Sequence, residues 1–543
     1  MIKVLEKHPV IAICIFTAVM LLPNLDAMQV TIMEARNFIT AREMLTDGNW
    51  LLTTMNGEAR YQKPPLPTWL SALSASIFGI NSLFPLRLPT VFLIMIIGIF
   101  TYRLSFKLLN NNLHSLVNAC IVITSFYVIG ITIEAPWDIY AHGFMLVAIY
   151  HLFLLFDKKT NYWKHTLIAG VCLGLSFLSK GPVSLYALFL PFLLAYAFTY
   201  KFKKIRPKTF SIFSILILML IIGGWWFIYV RLQDPATFAH ITEKETSNWG
   251  SYNVRPFYYY WSFFTQSGIW TIPAFVSLLF PYLKSRVRHL KAYRFSFYWT
   301  IIAVVLLSII PEKKSRYLMP VLIPLAMNTG FYIDYLIQRF KTLNLKKETI
   351  PVYFNFGLLS AIAVAFPVVS YLALQNKLNG HWGAYILASV VLVSIGGFMI
   401  YNLKQKNIKN VFFLTVLFFG ALVAFGLPLY KTTIPSHYHD ISELKLQNEK
   451  AGITLYGFNY VSPEMIWLYG DKIPDLSQTE PMVFPEAQTF GLLTNELNDT
   501  ELKTIKTYYD MEFVRTFDIN NTDASAKKKN SRLVNYYYLL TKK

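Results

Sequence analysis

The chain has 543 residues, 55% of them hydrophobic and only 15% charged, with a formal net charge of +20. Soluble domains carry roughly a quarter charged residues, so the composition excludes one and reads as a polytopic α-helical membrane protein. Most of the positive charge lies in short loops between apolar runs, which is a membrane pattern and not a nucleic-acid footprint.

A bilayer-crossing helix needs about 20 apolar residues, and about thirteen such runs follow one another. They fall at 8–25, 83–108, 112–132, 138–156, 164–180, 183–199, 209–230, 265–283, 293–310, 317–338, 350–374, 381–402 and 410–430. No segment shows the strict alternation of an outer-membrane barrel strand. The first run follows Lys3 and Lys7 with no small-residue cleavage site behind it, so it reads as a retained helix rather than a signal peptide. Cys14, Cys120 and Cys172 all sit inside apolar runs and suggest no disulfide framework. Every second loop is basic: the N-terminus, 103–107, 158–164, 201–208, 284–294, 339–347 and 404–409. That is the positive-inside pattern with a cytoplasmic N-terminus, and an odd number of spans then puts residues 431–543 outside.

Residues 1–430 are thus expected to form one transmembrane domain with two long external loops, 26–82 and 231–264. The first loop carries an amphipathic helix candidate at 34–45, then NGEARYQKPPLPTW, where the prolines predict extended, polyproline-like backbone. The second holds FAHITEKETSNWGSYNVRPFYYYW, aromatic enough to lie beside headgroups. The tail, 431–543, changes composition sharply. Strand-like runs at 453–458, 489–494, 512–518 and 533–541 alternate with helix candidates at 462–469 and 499–509, predicting a small extracytoplasmic α/β domain.

Basic residues on the external side are the exceptions to positive-inside and therefore the candidate ligands: Lys63, Arg87, Lys180, Arg255, Lys313, Lys314 and Arg316. A single cation at a span's edge can snorkel, but several on one face point to a shared anion such as a lipid phosphate. Among carboxylates, Glu34 is either the N3 residue of a capping box that starts at Thr31 or a group that takes a proton from an acceptor hydroxyl. Asp138 opens a span on the same external side and is a functional candidate for that reason. His142, four residues on, either orients it or satisfies it, and Glu134 is a further neighbour. His240, Glu243 and Glu245 form the one conceivable metal set, with undiagnostic spacing, so the metal ligands stay unassigned. No Walker loop or Rossmann glycine pattern occurs in a suitable context. A divalent cation is the only cofactor left open.

EARNFITAREMLTDGNW followed by NGEARYQKPPLPTW resembles the first-loop signature of bacterial aminoarabinose transferases and the related protein O-mannosyltransferase group. RLP at 87–89, the span-opening Asp138, LSKGP at 178–182 and PEKKSRYLMPVLIPLA at 311–326 extend the resemblance over nearly the whole chain. It implies a GT-C glycosyltransferase fold and transfer, with inversion, of a sugar from a polyprenyl monophosphate on the outer face of the bacterial inner membrane. It also implies a lipid A, protein or glycan acceptor, and a monomer among membrane lipids. The family's two first-loop carboxylates fall on Met33 and Glu34, so the Asp is lost and the Glu kept. Its Arg falls on Arg36, its Lys on Lys63, and the Glu before that Lys is Gln62 here, which weakens a metal site. The base is then Glu34 or Asp138, unless Asp26 folds in, and the family's second-loop His has Glu245 or His240 as conceivable counterparts. Arg36, Lys63, Arg255, Lys313 and Arg316 are expected around the phosphate, with Arg87 and Lys180 beside them and Tyr61 among the sugar-facing aromatics, together with Trp249 and Tyr252. The competing readings are a lipid-linked-sugar flippase, which would carry charge at mid-depth in its spans, and a non-catalytic scaffold, which leaves the charged first loop unexplained.

Overall fold

The computed structural model describes every residue except 1, 135, 158–161, 203–205, 479–483 and 523–528, and only the backbone of residues 2, 131–134, 136, 206, 248–250, 376 and 478. Glu134 and Trp249 therefore lie outside the described side chains. By its contacts the chain divides into two compact units, Met1–Met28 with Tyr61–Leu429, and Gln29–Arg60 with Tyr430–Lys543.

The larger unit is a helical membrane bundle. Among the described residues, eight helices are long and apolar enough to cross a bilayer: Leu83–Leu109, Trp137–Asp157, Thr209–Gln233, Leu290–Ile309, Ser315–Thr342, Lys346–Leu374, Trp382–Lys404 and Ile408–Thr433. Shorter apolar helices at Pro9–Asn24, Leu66–Phe78, Asn112–Ile123 and Leu185–Thr199 accompany them, as does Trp163–Lys180.

Two expected spans are broken, for visible reasons. The run 112–132 becomes Asn112–Ile123 and Phe126–Glu134, because Thr124 and Ser125 turn their hydroxyls back onto the Cys120 and Ile121 carbonyls. The run 265–283 becomes Thr271–Ser277 and Phe280–Leu283 behind Gly268, whose φ of 65° no helix tolerates. The first-loop prolines also behave differently from expectation. Pro65 caps a helix that starts at Leu66, and Pro67 sits in its first turn, where a missing N–H costs nothing.

The smaller unit joins the first-loop segment to the tail. Its sheet runs in the order β3 (Leu455–Phe458), β4 (Thr489–Thr494), β6 (Val534–Lys542), β5 (Tyr509–Asp518), after a two-stranded hairpin of β1 (Thr54–Met55) and β2 (Glu58–Ala59). β3 and β4 are parallel, and the other pairs antiparallel. A bulge between Phe513 and Arg515 twists the edge strand β5, a common protection against edge pairing. Helices Pro463–Tyr469 and Asp499–Tyr508 follow β3 and β4 as the sequence predicts, and Leu444–Ala451 is an additional one.

Candidate functional site

In the membrane unit the charged candidates converge at the start of the helix Pro136–Asp157. Asp138 lies in its first turn and is 1% exposed. A carboxylate buried that deeply needs a cationic partner, and Lys180 Nζ supplies it through a short, direct bond to Oδ1. Lys180 is the last residue of Trp163–Lys180, and Gly181, with a φ of 65°, turns the chain sharply behind it. The same ammonium stands 5.3 Å from the centre of the Tyr317 ring. Arg316 is within electrostatic range of both Asp138 and Lys180, and Lys63 is within range of Lys180. Arg316 Nε is buried without a hydrogen-bond partner.

Four sequence candidates from four distant stretches (Lys63, Asp138, Lys180 and Arg316) therefore share one electrostatic neighbourhood. Lys63 also bonds Glu245 at 3.2 Å, across a pair that is one-third or more exposed, so the link is loose and exchangeable. Tyr317 is the member that sequence reasoning missed. Its hydroxyl donates to Glu312 Oε1 at 3.1 Å, and Glu312 also holds Lys314 at 2.6 Å. The signal was its position inside KKSRY, an aromatic directly behind three cations.

Other candidates are committed elsewhere. Arg87 is buried and donates to the Leu25 and Met28 carbonyls at 2.8 and 3.0 Å. Lys313 donates to the Arg255 and Ile310 carbonyls, and burial lowers its pKa. Together with the Val254–Glu312 bridge, this stitches the second loop to the 311–316 segment and leaves the Arg255 side chain exposed. Tyr61 is buried and donates to Asp234 Oδ2 at 3.1 Å, while burial and that bond push its pKa up to about 12. Tyr252 is exposed and stacks under Lys314 at 4.7 Å. His240, Glu243 and Glu245 do not assemble as ligands: among the described residues no three His, Cys, Asp or Glu side chains are placed to hold a metal ion.

In the smaller unit Glu34 forms the capping box of the helix Ile32–Thr46. Its backbone N–H donates to Thr31 Oγ1, and its carboxylate accepts from the Thr31 N–H at 3.3 Å. Arg36, half-buried, is one turn from the buried Thr40, which accepts from Arg60 Nη1 at 2.8 Å. Desolvation and then the like charge of Arg36 lower the Arg60 pKa.

Known proteins resemble this chain in sequence and in fold. The family described as dolichyl-phosphate-mannose-protein mannosyltransferase matches residues 62–226. An uncharacterized protein of Aquifex aeolicus (strain VF5) is 26% identical over 398 residues, 68% of this chain and 76% of that protein. The undecaprenyl phosphate-alpha-4-amino-4-deoxy-L-arabinose arabinosyl transferase of Photorhabdus laumondii is 24% identical over 498 residues, 86% of this chain and 82% of its own. The crystal structure of ArnT from Cupriavidus metallidurans bound to undecaprenyl phosphate superposes with a TM-score of 0.68 at 14% identity, covering 99% of this chain and 97% of that one. The chain is a multi-pass membrane glycosyltransferase of the GT-C fold, similar in sequence to the aminoarabinose transferases and, over residues 62–226, to the dolichyl-phosphate-mannose-protein mannosyltransferase family.

Proposed function

We propose that this enzyme transfers a sugar, with inversion, from an undecaprenyl-type monophosphate to an acceptor on the outer face of the inner membrane. In this reading the N-terminus is cytoplasmic and the tail, 431–543, is external. The observation that carries it is the Asp138–Lys180 pair at the end of a span, with Lys63 and Arg316 in electrostatic reach. Three cations gathered at a membrane edge suit one phosphate with a hydrocarbon tail.

Lys180, Lys63 and Arg316 hold the phosphate and stabilise the charge that grows on it as the glycosidic bond breaks. Arg316 Nε, buried and unbonded, is a ready donor for a phosphate oxygen. Arg255, whose side chain is exposed, is a second-line contact. Arg87 and Lys313 drop out of the phosphate set, because carbonyl oxygens already take up their donors. Tyr61, whose hydroxyl keeps its proton and donates a hydrogen bond to Asp234, shapes the sugar pocket.

Asp138 or Glu34 takes the acceptor's proton when the acceptor is a hydroxyl. When it is a phosphate, as on lipid A, that step falls away, and Asp138 serves to aim Lys180. The donor's own phosphoester supplies the driving force, so no nucleotide is needed. The undecaprenyl phosphate arabinosyl transferase relatives support the lipid-phosphate donor class.

The test is transfer by purified protein from synthetic polyprenyl-phosphate sugars to lipid A, peptide and glycan acceptors. Turnover that collapses in Lys63→Ala and Asp138→Asn supports the site. Turnover indifferent to both removes it, and lipid-sugar movement across liposomes without transfer would replace the reading by a flippase.

A further inference from the structure

The residues Asp138 and His142 stand one helical turn apart, and Lys180 and Ser184 flank the Gly181-Pro182 turn. Lys180 Nζ bonds Asp138 Oδ1, and Ser184 Oγ bonds His142 Nδ1 at 2.8 Å. His142 Nε2 faces Asp138 Oδ1 at 4.0 Å. All but Lys180 are at most 1% exposed.

The bonding roles follow from chemistry. An ionised carboxylate can only accept, so the imidazole proton belongs on Nε2, facing Asp138. Nδ1 is then an acceptor, and the Ser184 hydroxyl is its donor. The order Ser–His–Asp is that of a nucleophilic triad, but the fully buried Ser184 hydroxyl is turned onto His142 Nδ1, on the far side of the imidazole from Asp138. The chain of groups therefore acts inward, on the carboxylate.

We propose that His142 and Ser184 are positioning residues: they pin the turn after Trp163–Lys180 to the helix that carries Asp138, and so aim the Lys180 ammonium at the donor phosphate. The turn makes this necessary. Gly181 ends the helix with a left-handed φ, and a lysine beside such a bend has no helical turn after it to fix its stem. The Ser184 contact closes the bend from the far side. A hydroxyl and an imidazole do this without adding charge that would compete with the Asp138–Lys180 pair.

The proposal rests on the phosphate reading of Lys180, and the two can fail separately. The experiment measures KM for a synthetic polyprenyl-phosphate sugar, and kcat, in wild type, Ser184→Ala, His142→Ala, Ser184→Thr, Lys180→Ala and Ser184→Ala/Lys180→Ala. Losing a buried partner of a charged network should raise donor KM about tenfold in both single alanine variants, with kcat reduced less than about threefold. Ser184→Thr keeps the hydroxyl and restores KM. In the Lys180→Ala background, Ser184→Ala should add nothing, because a positioning residue has nothing left to position.

Unchanged donor KM in both alanine variants, with only a lower melting temperature, overturns the proposal and leaves the phosphate reading intact. So does a Ser184→Ala effect that persists undiminished without Lys180. Wild-type KM and kcat in Lys180→Ala takes down both. Should His142→Ala not fold, the comparison of Ser184→Ala with Ser184→Thr carries the test by itself.

Discussion

Two regions bury charge, and they dispose of it in opposite ways. In the smaller unit Arg42 donates to the carbonyls of Ile466, Trp467 and Asp471 at 3.1–3.3 Å and lies over the Trp467 ring. Glu43 accepts from Thr54 Oγ1 and from the backbone N–H groups of Asn56 and Gly57, the left-handed turn between β1 and β2. Asn56 then exchanges two 2.7 Å bonds with the Ile473 backbone. These charged groups hold main chain, and the main chain they hold is their purpose.

At the membrane unit's cluster the charges face one another instead. Lys180 is spent on a carboxylate, Arg316 Nε has no bond, and Lys63 is shared with a half-exposed Glu245. A buried charge bonded to backbone is cement. One bonded to another movable charge is poised for exchange with a ligand.

The largest effects should come from testing that contrast at Asp138 and Lys180. Breaking a buried pair from one side strands the other charge and costs about 3–5 kcal/mol, whereas removing both can be near neutral. Lys180→Met should therefore lower the melting temperature and cut transfer at least 100-fold. Lys180→Met with Asp138→Leu should recover the melting temperature and still fail to transfer, with transfer assayed at least 100-fold below wild type, about the effect of deleting one preorganised charge contact. Recovery of activity along with stability would make the pair cement like Arg42, and the comparison would collapse.

Next in size is Arg42→Met, which leaves three carbonyls of the smaller unit without their donor. Leaving buried polar groups unsatisfied costs about 1–3 kcal/mol in all, read as a lower melting temperature or greater protease sensitivity at the 463–473 segment. Transfer per folded molecule should stay within about twofold of wild type, since the lost bonds serve the fold alone. A large fall in kcat without loss of stability would give Arg42 a part in the reaction.

Much of this was legible in the sequence because membrane helices and their caps are local. Apolar length marks the spans, and Thr31-x-x-Glu34 marks a capping box that the structure contains. The tail's four strands and two helices overlap the runs that composition and alternation mark. The Asp138–Lys180 pair was only half legible: each residue stood out as a charge at a span's edge, but 42 positions separate them and nothing local says that they touch. Partner accounting is non-local as well, so Arg87 and Lys313 looked like phosphate ligands until their carbonyls were seen. The grouping of residues 29–60 with the tail rests on Arg42, Glu43 and Asn56 meeting residues more than 400 positions away or a neighbouring turn, which no periodicity encodes.

Smaller still is the capping box, and it separates the two roles of Glu34. Thr31→Ala removes the cap and should cost about 1 kcal/mol. Glu34→Gln keeps a capping-box side chain, so it should leave the melting temperature within about 0.5 kcal/mol of wild type. If Glu34→Gln then fails to transfer to a hydroxyl acceptor, the carboxylate has a chemical task that its cap does not explain. If it transfers normally, Glu34 joins Arg42 as cement.

The smallest effect belongs to Asp47 and Lys472, bonded at 2.6 Å on the same unit's surface. The bond to Lys472 holds the Asp47 carboxyl below its ordinary value, and the bond to Asp47 raises the Lys472 ammonium above its own. A depressed carboxyl contributes stability that is complete above its unfolded pKa of about 4 and disappears as the pH falls through the folded value. A raised ammonium contributes stability that is complete below about 10.4 and disappears as the pH climbs through its folded value. The pair thus stabilises between those limits and at neither extreme. Exposed as it is, it should be worth less than about 1 kcal/mol and weaken further in salt. Lys472→Met should flatten the acid limb of the unit's stability curve slightly and leave transfer untouched. A salt-insensitive loss larger than that would mean that this surface pair is held as tightly as the buried one at Asp138, and exposure would no longer separate the two regions.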